Sequence, residues 1–246
     1  MSVATPQTCT HLLLDIEGTT CPVDYVAGTL FPYAAAALNE FLKEHGGDTE
    51  VQALIEQIRK AWEEDNHEQA RTLYQQHAKG SPHCTPYIHW LIRKDRKLTP
   101  LKSLQGKIWN LGYRKGDLKA PLFEDISAAL QRLKHQGIIL ASYSSGSIEA
   151  QHLLYQYSKA GNLKPLFSHW FDTTTGPKKD PKSYKKISEI MNVESDHVTF
   201  ISDANAELHA ARTVGMNAVF SDRPGNPETS SEGFSTLQSL TNLMIS

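Results

Sequence analysis

Apolar and polar positions change rhythm twice along this chain. Near its start, Leu12-Leu13-Leu14 is a short unbroken apolar run that stops at Asp15, the pattern of a buried strand ending in a carboxylate. From about residue 29 to 115 the spacing is helical throughout. Residues 31–44 carry Ala, Leu and Phe at helical intervals, with Pro32 tolerable in a first turn. Residues 51–64 place Val51, Leu54, Ile55, Ile58 and Trp62 on one stripe. Two further helices are predicted over 68–79 and 87–93, split by Gly80-Ser81-Pro82, and a fifth over 101–113 with Leu104, Ile108, Trp109 and Leu111 as its apolar side. After the breaker-rich stretch 116–121 the rhythm alternates. A helix over 124–136 leads to an apolar run at 138–143, another helix starts near Ser147, and 166–171 reads as a short strand. A helix at 181–191 has Asp180 as its N-cap, and a strand at 198–202, a helix at 205–214 and a final strand at 217–221 follow.

Strands alternating with helices imply parallel pairing. The expected fold class is therefore α/β: a doubly wound, mostly parallel sheet built from residues 1–24 and 117–246, with an all-helical insert over 25–116. Residues 1–10 are polar and are expected to be a short, loosely held arm.

The 246 residues suffice for one large domain or one domain with an insert. A hydrophobic content of 39% with 21% charged residues is that of an ordinary globular protein. A formal net charge of -2 gives no electrostatic case for nucleic acid or an anionic membrane as partner. No run approaches the ~20 apolar residues of a membrane span, and the N-terminus lacks the pattern of an export signal. Cys9, Cys21 and Cys84 form no metal-type spacing and cannot all pair with one another, which points to a reducing, cytoplasmic setting.

Ligands of a doubly wound sheet gather beyond the carboxyl ends of its strands, and four of those ends carry reactive side chains. Asp15 and Glu17 follow the first strand, with Gly18-Thr19-Thr20 as a tight turn. Ser144-Ser145-Gly146-Ser147 follows the second and opens a helix, where hydroxyl and N–H groups suit a phosphate. Gly176-Pro177-Lys178-Lys179 is a rigid turn carrying a lysine, with Lys182 a further candidate. Asp203 ends the strand at 198–202, with Glu207 four residues on. Each group also has an ordinary structural reading: a turn cap for either Asp, a helix N-cap for the serines, a solvated surface for the lysine. Glu207 reads equally as a surface acid or as one supporting the others. His77, His83, Cys84 and His89 lie near one another in sequence, but their spacing fits no common zinc site.

The succession acid, hydroxyl, lysine, acid resembles the haloacid-dehalogenase-like superfamily of aspartyl-phosphate enzymes. In that resemblance Asp15 matches the nucleophile, Ser144 the phosphate-binding Ser/Thr, Lys178 the lysine and Asp203 the metal-binding acid, and the helical insert matches a cap domain. Lys178 stands six residues before Tyr184, as that family's lysine often precedes an aromatic. Glu17 departs from the aspartate usual at its position. Together with 143–147 and Arg223-Pro224-Gly225-Asn226, the stretch 15–20 is similar to one branch, the enolase-phosphatases of methionine salvage, and the likeness spans nearly the whole chain.

That resemblance implies a small phosphorylated diketone as substrate, enolised and then hydrolysed, with one Mg²⁺ per chain and a monomeric enzyme. Asp15 is implied as nucleophile, Glu17 as proton donor and then base, Lys178 as the cation on phosphate, Ser144 and Ser145 as phosphate ligands, and Asp15, Glu17 and Asp203 as metal ligands. A methylthio tail needs an apolar pocket, for which Tyr25, Phe31, Trp90, Trp109 and Tyr113 are on offer, although each is more commonly core.

Overall fold

The computed structural model describes residues 3–4 and 9–244. Val26–Leu118 forms one compact unit, and the chain before and after it forms another. In chain order the second unit contains β1 (Val3–Ala4), β2 (His11–Leu14), then after the insert α6 (Ile126–His135), β3 (Ile139–Tyr143), α7 (Ile148–Gln156), β4 (Phe167–Phe171), α8 (Pro181–Met191), β5 (Val198–Ser202), α9 (Asn205–Thr213), β6 (Asn217–Ser221), β7 (Ser235–Leu237) and β8 (Leu243–Met244). The helical unit contains α1 (Phe31–His45), α2 (Thr49–Glu64), α3 (Glu68–His77), α4 (Thr85–Arg93) and α5 (Thr99–Lys115).

Six strands form one parallel sheet in the order β4-β3-β2-β5-β6-β7. The earliest of the six, β2, therefore lies inside it: Leu13 pairs with Ala141 on one side and Phe200 on the other. Leu12, Leu13 and Leu14 are all fully buried, as a strand covered on both faces requires, and this is why the run shows no alternation. On one face Leu13, Tyr143, Phe200 and Phe220 meet Tyr184 and Ile187 of α8 and Leu208 and Ala211 of α9 in a single core cluster. Asp180 caps α8 as expected, its side chain accepting from the Lys182 N–H at 2.9 Å.

Two expectations need correcting. The sheet does not end at β6, because β7 pairs with it in parallel through Val219–Ser235, Phe220–Thr236 and Ser221–Leu237. Only Leu237 of β7 is buried, so no apolar run announces it. Nor is residues 3–4 part of a loose arm: β1 pairs in parallel with β8, and two-residue strands leave no periodicity to read. Farther along, Cys9 is buried and the Thr10 N–H donates to His197 O at 3.0 Å; residues 1–2 and 5–8 of the expected arm lie outside the described residues.

The helical unit is built around aromatic rings. Trp62 stacks on Tyr87 at 5.1 Å, Tyr87 on Trp90 at 5.7 Å, and Trp109 on Phe31 at 6.2 Å. The indole N–H groups of Trp62, Trp90 and Trp109 donate to Ala70 O, Gln69 Oε1 and Leu30 O. Trp90, Trp109 and Tyr113 are thus buried core, and so is Tyr25 of the other unit. Among the described residues no set of three His, Cys, Asp or Glu side chains closes into a metal cage, and no helix is long and apolar enough to cross a membrane.

The C-terminal segment is tied back by one ion pair. Both terminal guanidinium nitrogens of Arg223 donate to Asp125, each at 2.9 Å, and the guanidinium lies 4.6 Å from the Phe123 ring. Asp125 also accepts from Ser239 Oγ and the Leu240 N–H. Burial alone would raise the Asp125 carboxyl, but the Arg223 hydrogen bonds and charge outweigh it, so its pKa lies below the ordinary 3.8. A carboxyl held low in the folded state contributes stability above its unfolded value and loses it as pH falls through the folded one. Urea denaturation is therefore expected to show Asp125→Asn losing about 2–4 kcal/mol at neutral pH, by stranding a buried guanidinium. The difference from the unsubstituted protein should shrink as pH is lowered below about 4.

Candidate active site

Asp15 is the first residue past β2. Its neighbours in the sheet follow from register: Leu14 is abreast of Ser142 and Ile201, so Asp15 stands beside Tyr143 and Ser202. Both of its carboxylate oxygens are fixed. Oδ1 accepts from the Ile16 N–H at 2.7 Å and contacts Lys178 Nζ at 2.8 Å, while Oδ2 accepts from Ser202 Oγ at 3.0 Å. The Lys178 ammonium also lies 2.7 Å from Glu207 Oε2, so one cation bridges two carboxylates. The three side chains are 8–12% exposed, which takes this contact out of the class of weak surface ion pairs. Burial works against the Lys178 charge, but Asp15 and Glu207 more than offset it, and its pKa is raised.

The turn that delivers Lys178 is fastened by hydroxyls. Tyr143 donates to Gly176 O at 2.9 Å, Ser183 to Pro177 O at 2.8 Å and Tyr184 to Lys178 O at 2.7 Å. The spacing of lysine and aromatic noted in the sequence thus has a physical basis: Tyr184, on the first turns of α8, grips the lysine's own carbonyl. Gly176 is required by close approach, since a Cβ there would stand 2.2 Å from Ser183 Oγ. Lys179 and Lys182, the rival lysines, are exposed.

Asp203 follows β5, and Glu207 lies on the first turn of α9, close enough for its charge to act on the Asp203 carboxyl. Burial, followed by the charges of Asp15 and Glu207, raises the Asp203 carboxyl to about 7. Burial and Asp15 raise Glu207 as well, against the pull of Lys178. Three acids face one lysine, a surplus of negative charge in a partly desolvated site. An all-oxygen donor set with excess charge is what a hard divalent cation such as Mg²⁺ takes, so the residues fit that ion. Ser202 Oγ lies 3.0 Å from both Asp15 Oδ2 and Glu207 Oε2 but has one hydrogen to give. Its single hydrogen can go to only one of the two carboxylates at a time.

Ser144 lies beyond β3, the neighbour of β2, with its Oγ accepting from the Gly146 N–H at 3.1 Å. Ser145 is exposed. The helix terminus behind them is partly spoken for: Ser147 Oγ accepts from the Ala150 N–H and Asp172 Oδ2 from the Ile148 N–H, both at 3.2 Å. An anion here would thus rely on the Ser144–Gly146 loop more than on the start of α7. Gln151 fastens that loop, its amide donating to Gly146 O at 3.0 Å and Phe171 O at 2.8 Å. Glu17 is half-buried in the turn that follows Asp15.

Ser202 and Asp172 went unnoticed in the sequence, and Glu207 was undervalued. Glu207 had one usable signal, its i+4 spacing from Asp203. Ser202 had none beyond being polar at the end of a buried strand. The Arg223–Asn226 stretch has turned out to be structural: Arg223 grips Asp125, and the Asn226 amide donates to Gly18 O and Ser221 O, each at 2.9 Å.

Comparisons with known proteins identify the family. Residues 9–215 match the model of the haloacid dehalogenase-like hydrolases. Enolase-phosphatase E1 of Prochlorococcus marinus is 48% identical over 89% of this chain and 91% of its own length. Enolase-phosphatase E1 of Synechococcus elongatus is 45% identical over 97% of this chain and 99% of its own. Among solved structures, the UTR4 protein of Saccharomyces cerevisiae superposes with a TM-score of 0.74 at 31% identity, covering 94% of this chain and 98% of that one.

The closeness of the Asp15 turn to Asp203 leaves no room at Gly18. Its φ is +69°, and a Cβ there would lie 2.3 Å from Asp203 Oδ2 and 2.8 Å from Asn226 Oδ1. Gly18→Ala is expected to cost about 1–3 kcal/mol in chemical denaturation, through backbone strain and displacement of Asp203. An unchanged denaturation midpoint would show that the turn relaxes freely.

Proposed function

Because the chain belongs to the haloacid dehalogenase-like hydrolases, and within them to the enolase-phosphatases, we propose that it releases phosphate from a small phosphorylated diketone by way of Asp15. The substrate is 2,3-diketo-5-methylthiopentyl-1-phosphate of methionine salvage. Enolisation precedes hydrolysis, and the products are 1,2-dihydroxy-3-keto-5-methylthiopentene and inorganic phosphate. The observation that carries this reading is the buried Lys178 ammonium at 2.8 Å from Asp15 Oδ1, beside Asp203 and Glu207.

A carboxylate with both oxygens fixed has few orientations to lose before attack. Asp15 attacks phosphorus while the bond to the organic oxygen breaks, and Glu17 gives that oxygen its proton. The Glu17 carboxylate then takes a proton from water, which attacks the aspartyl-phosphate and returns Asp15 and inorganic phosphate. Lys178 neutralises charge shared by the nucleophile and the phosphoryl oxygens. Ser144 and Ser145 hold the remaining phosphate oxygens by hydroxyl and loop N–H contacts. Asp15, Glu17 and Asp203 would hold Mg²⁺, which when bound adds charge neutralisation and orients the phosphoryl group. In our reading the helical unit, Val26–Leu118, is a cap domain. The three free cysteines, all buried, suit a reducing cytoplasm.

Purified protein with Mg²⁺ and the diketo phosphate is expected to release inorganic phosphate, and a complete lack of release would sink the proposal. Asp15→Asn should reduce turnover about 10⁴-fold or more while leaving the far-ultraviolet dichroism unchanged. Saturating Mg²⁺, at a hundredfold its dissociation constant, should stabilise the protein by about 2.7 kcal/mol. That corresponds to a melting point higher by roughly 5–10 °C, and the shift should largely vanish in Asp203→Asn.

A further inference from the structure

One glutamine spends both of its amide hydrogens around the loop that follows β3. Gln151 stands on the first turn of α7 and is 1% exposed. Its amide nitrogen donates to Gly146 O at 3.0 Å and to Phe171 O at 2.8 Å. Two carbonyls around one NH₂ group settle which way the amide is turned, because an oxygen there would oppose two oxygens. Its Oε1 is left buried and without a hydrogen-bond partner, an arrangement that costs free energy and needs a reason. Phe171 O is already served by the Ser144 N–H at 3.2 Å, so that carbonyl alone does not supply it.

The reason lies in the peptide between Gly146 and Ser147. Its neighbours have ties of their own: the Gly146 N–H goes to Ser144 Oγ and the Ile148 N–H to Asp172 Oδ2. The 146–147 peptide is held by Gln151 through the Gly146 carbonyl, and its N–H has no partner among the described residues. In a trans peptide the C=O and N–H point in opposite directions. With the carbonyl facing a buried amide, the Ser147 N–H is turned away from the core. Ser144 Oγ accepts from the Gly146 N–H, which leaves its own hydrogen to give. Two unspent donors thus stand on one braced loop. That loop starts directly after Tyr143, which stands beside Asp15 in the sheet and whose ring centre is 5.7 Å from Lys178 Nζ. We propose that Gln151 is a positioning residue for phosphate: by holding the Gly146 carbonyl it presents the Ser147 N–H, with the Ser144 hydroxyl, to the phosphate group of the substrate. The inference rests on the reading of this loop as the phosphate cradle, and adds to it one donor and the side chain that aims it.

Calorimetric titration of inorganic phosphate into the Mg²⁺-loaded protein tests this. Gln151→Met keeps the length of the side chain but has no hydrogen to donate. It is expected to weaken phosphate binding about 5–30-fold, while the Mg²⁺ dissociation constant, measured without phosphate, changes less than about twofold. A residue that only supports the fold would lower the melting temperature and leave the phosphate constant unchanged, a result that overturns the inference. Equal weakening of phosphate and Mg²⁺ overturns it as well, because general loosening of the site would then suffice. Amide hydrogen exchange on the unsubstituted protein needs no variant and decides alone should Gln151→Met not fold. Phosphate should slow exchange of the Ser147 N–H, and an unchanged rate overturns the inference. Ser144→Ala separates the inference from the reading beneath it. If phosphate binds Ser144→Ala as tightly as the unsubstituted protein, the loop is not the cradle and both fall. If Ser144→Ala weakens binding and Gln151→Met does not, this inference alone falls.

Discussion

A single ammonium group buried between two carboxylates is the constraint on which the rest of this site depends. Asp15 comes from the end of β2, Lys178 from the turn before α8 and Glu207 from the first turn of α9, so three separate segments must meet at one point. In water such contacts are worth little, but here each partner is the main compensation for its neighbour's burial. Burial first, and then the charges of Asp15 and Glu207, push the remaining acid, Asp203, far from the ordinary range despite the Lys178 charge. Structure and chemistry are therefore set by one balance of charge: enough cation to fold, too little to be neutral.

Hydroxyl groups carry out much of the alignment around that balance. Ser202 orients Asp15 and touches Glu207, Tyr143 and Tyr184 fasten the lysine turn from opposite ends, and Thr20 Oγ1 and Tyr155 OH meet at 2.8 Å in the loop that follows Asp15. Tyr143, Tyr155 and Tyr184 also fill the apolar layers of the core, so each ring packs while its oxygen holds a partner, backbone for Tyr143 and Tyr184 and the Thr20 hydroxyl for Tyr155. Burying an aromatic with a polar tip here does two tasks at once, and a phenylalanine would do only the first.

The architecture was legible wherever a physical period was strong. Leu12–Leu14 and residues 198–202 read as strands because burial on both faces leaves no polar interruption, and the stripe through Val51, Ile55, Ile58 and Trp62 read as a helix. The chemistry at strand ends was legible because a doubly wound sheet dictates where strand ends go. What could not be read was convergence at the level of atoms. Nothing local says that Ser202 stands abreast of Asp15, since that follows from a parallel register between segments far apart in sequence. β7 escaped because one buried residue makes no pattern, and Arg223 because its partner, Asp125, lies about a hundred positions earlier. The aromatic residues of the insert had two readings, and stacking and indole hydrogen bonds place Trp90 and Trp109 in the core.

The central placement of β2 has a consequence for how the chain is made. Both strands that flank it, β3 and β5, are encoded more than a hundred residues later. During synthesis its three leucines emerge with no sheet to join, while the helical segment that follows is contiguous and can collapse as soon as it is complete. The strand that ends at Asp15 thus precedes both of its sheet neighbours in translation and must wait for them before it is paired. Over that interval it is the segment most in need of shelter from other nascent chains.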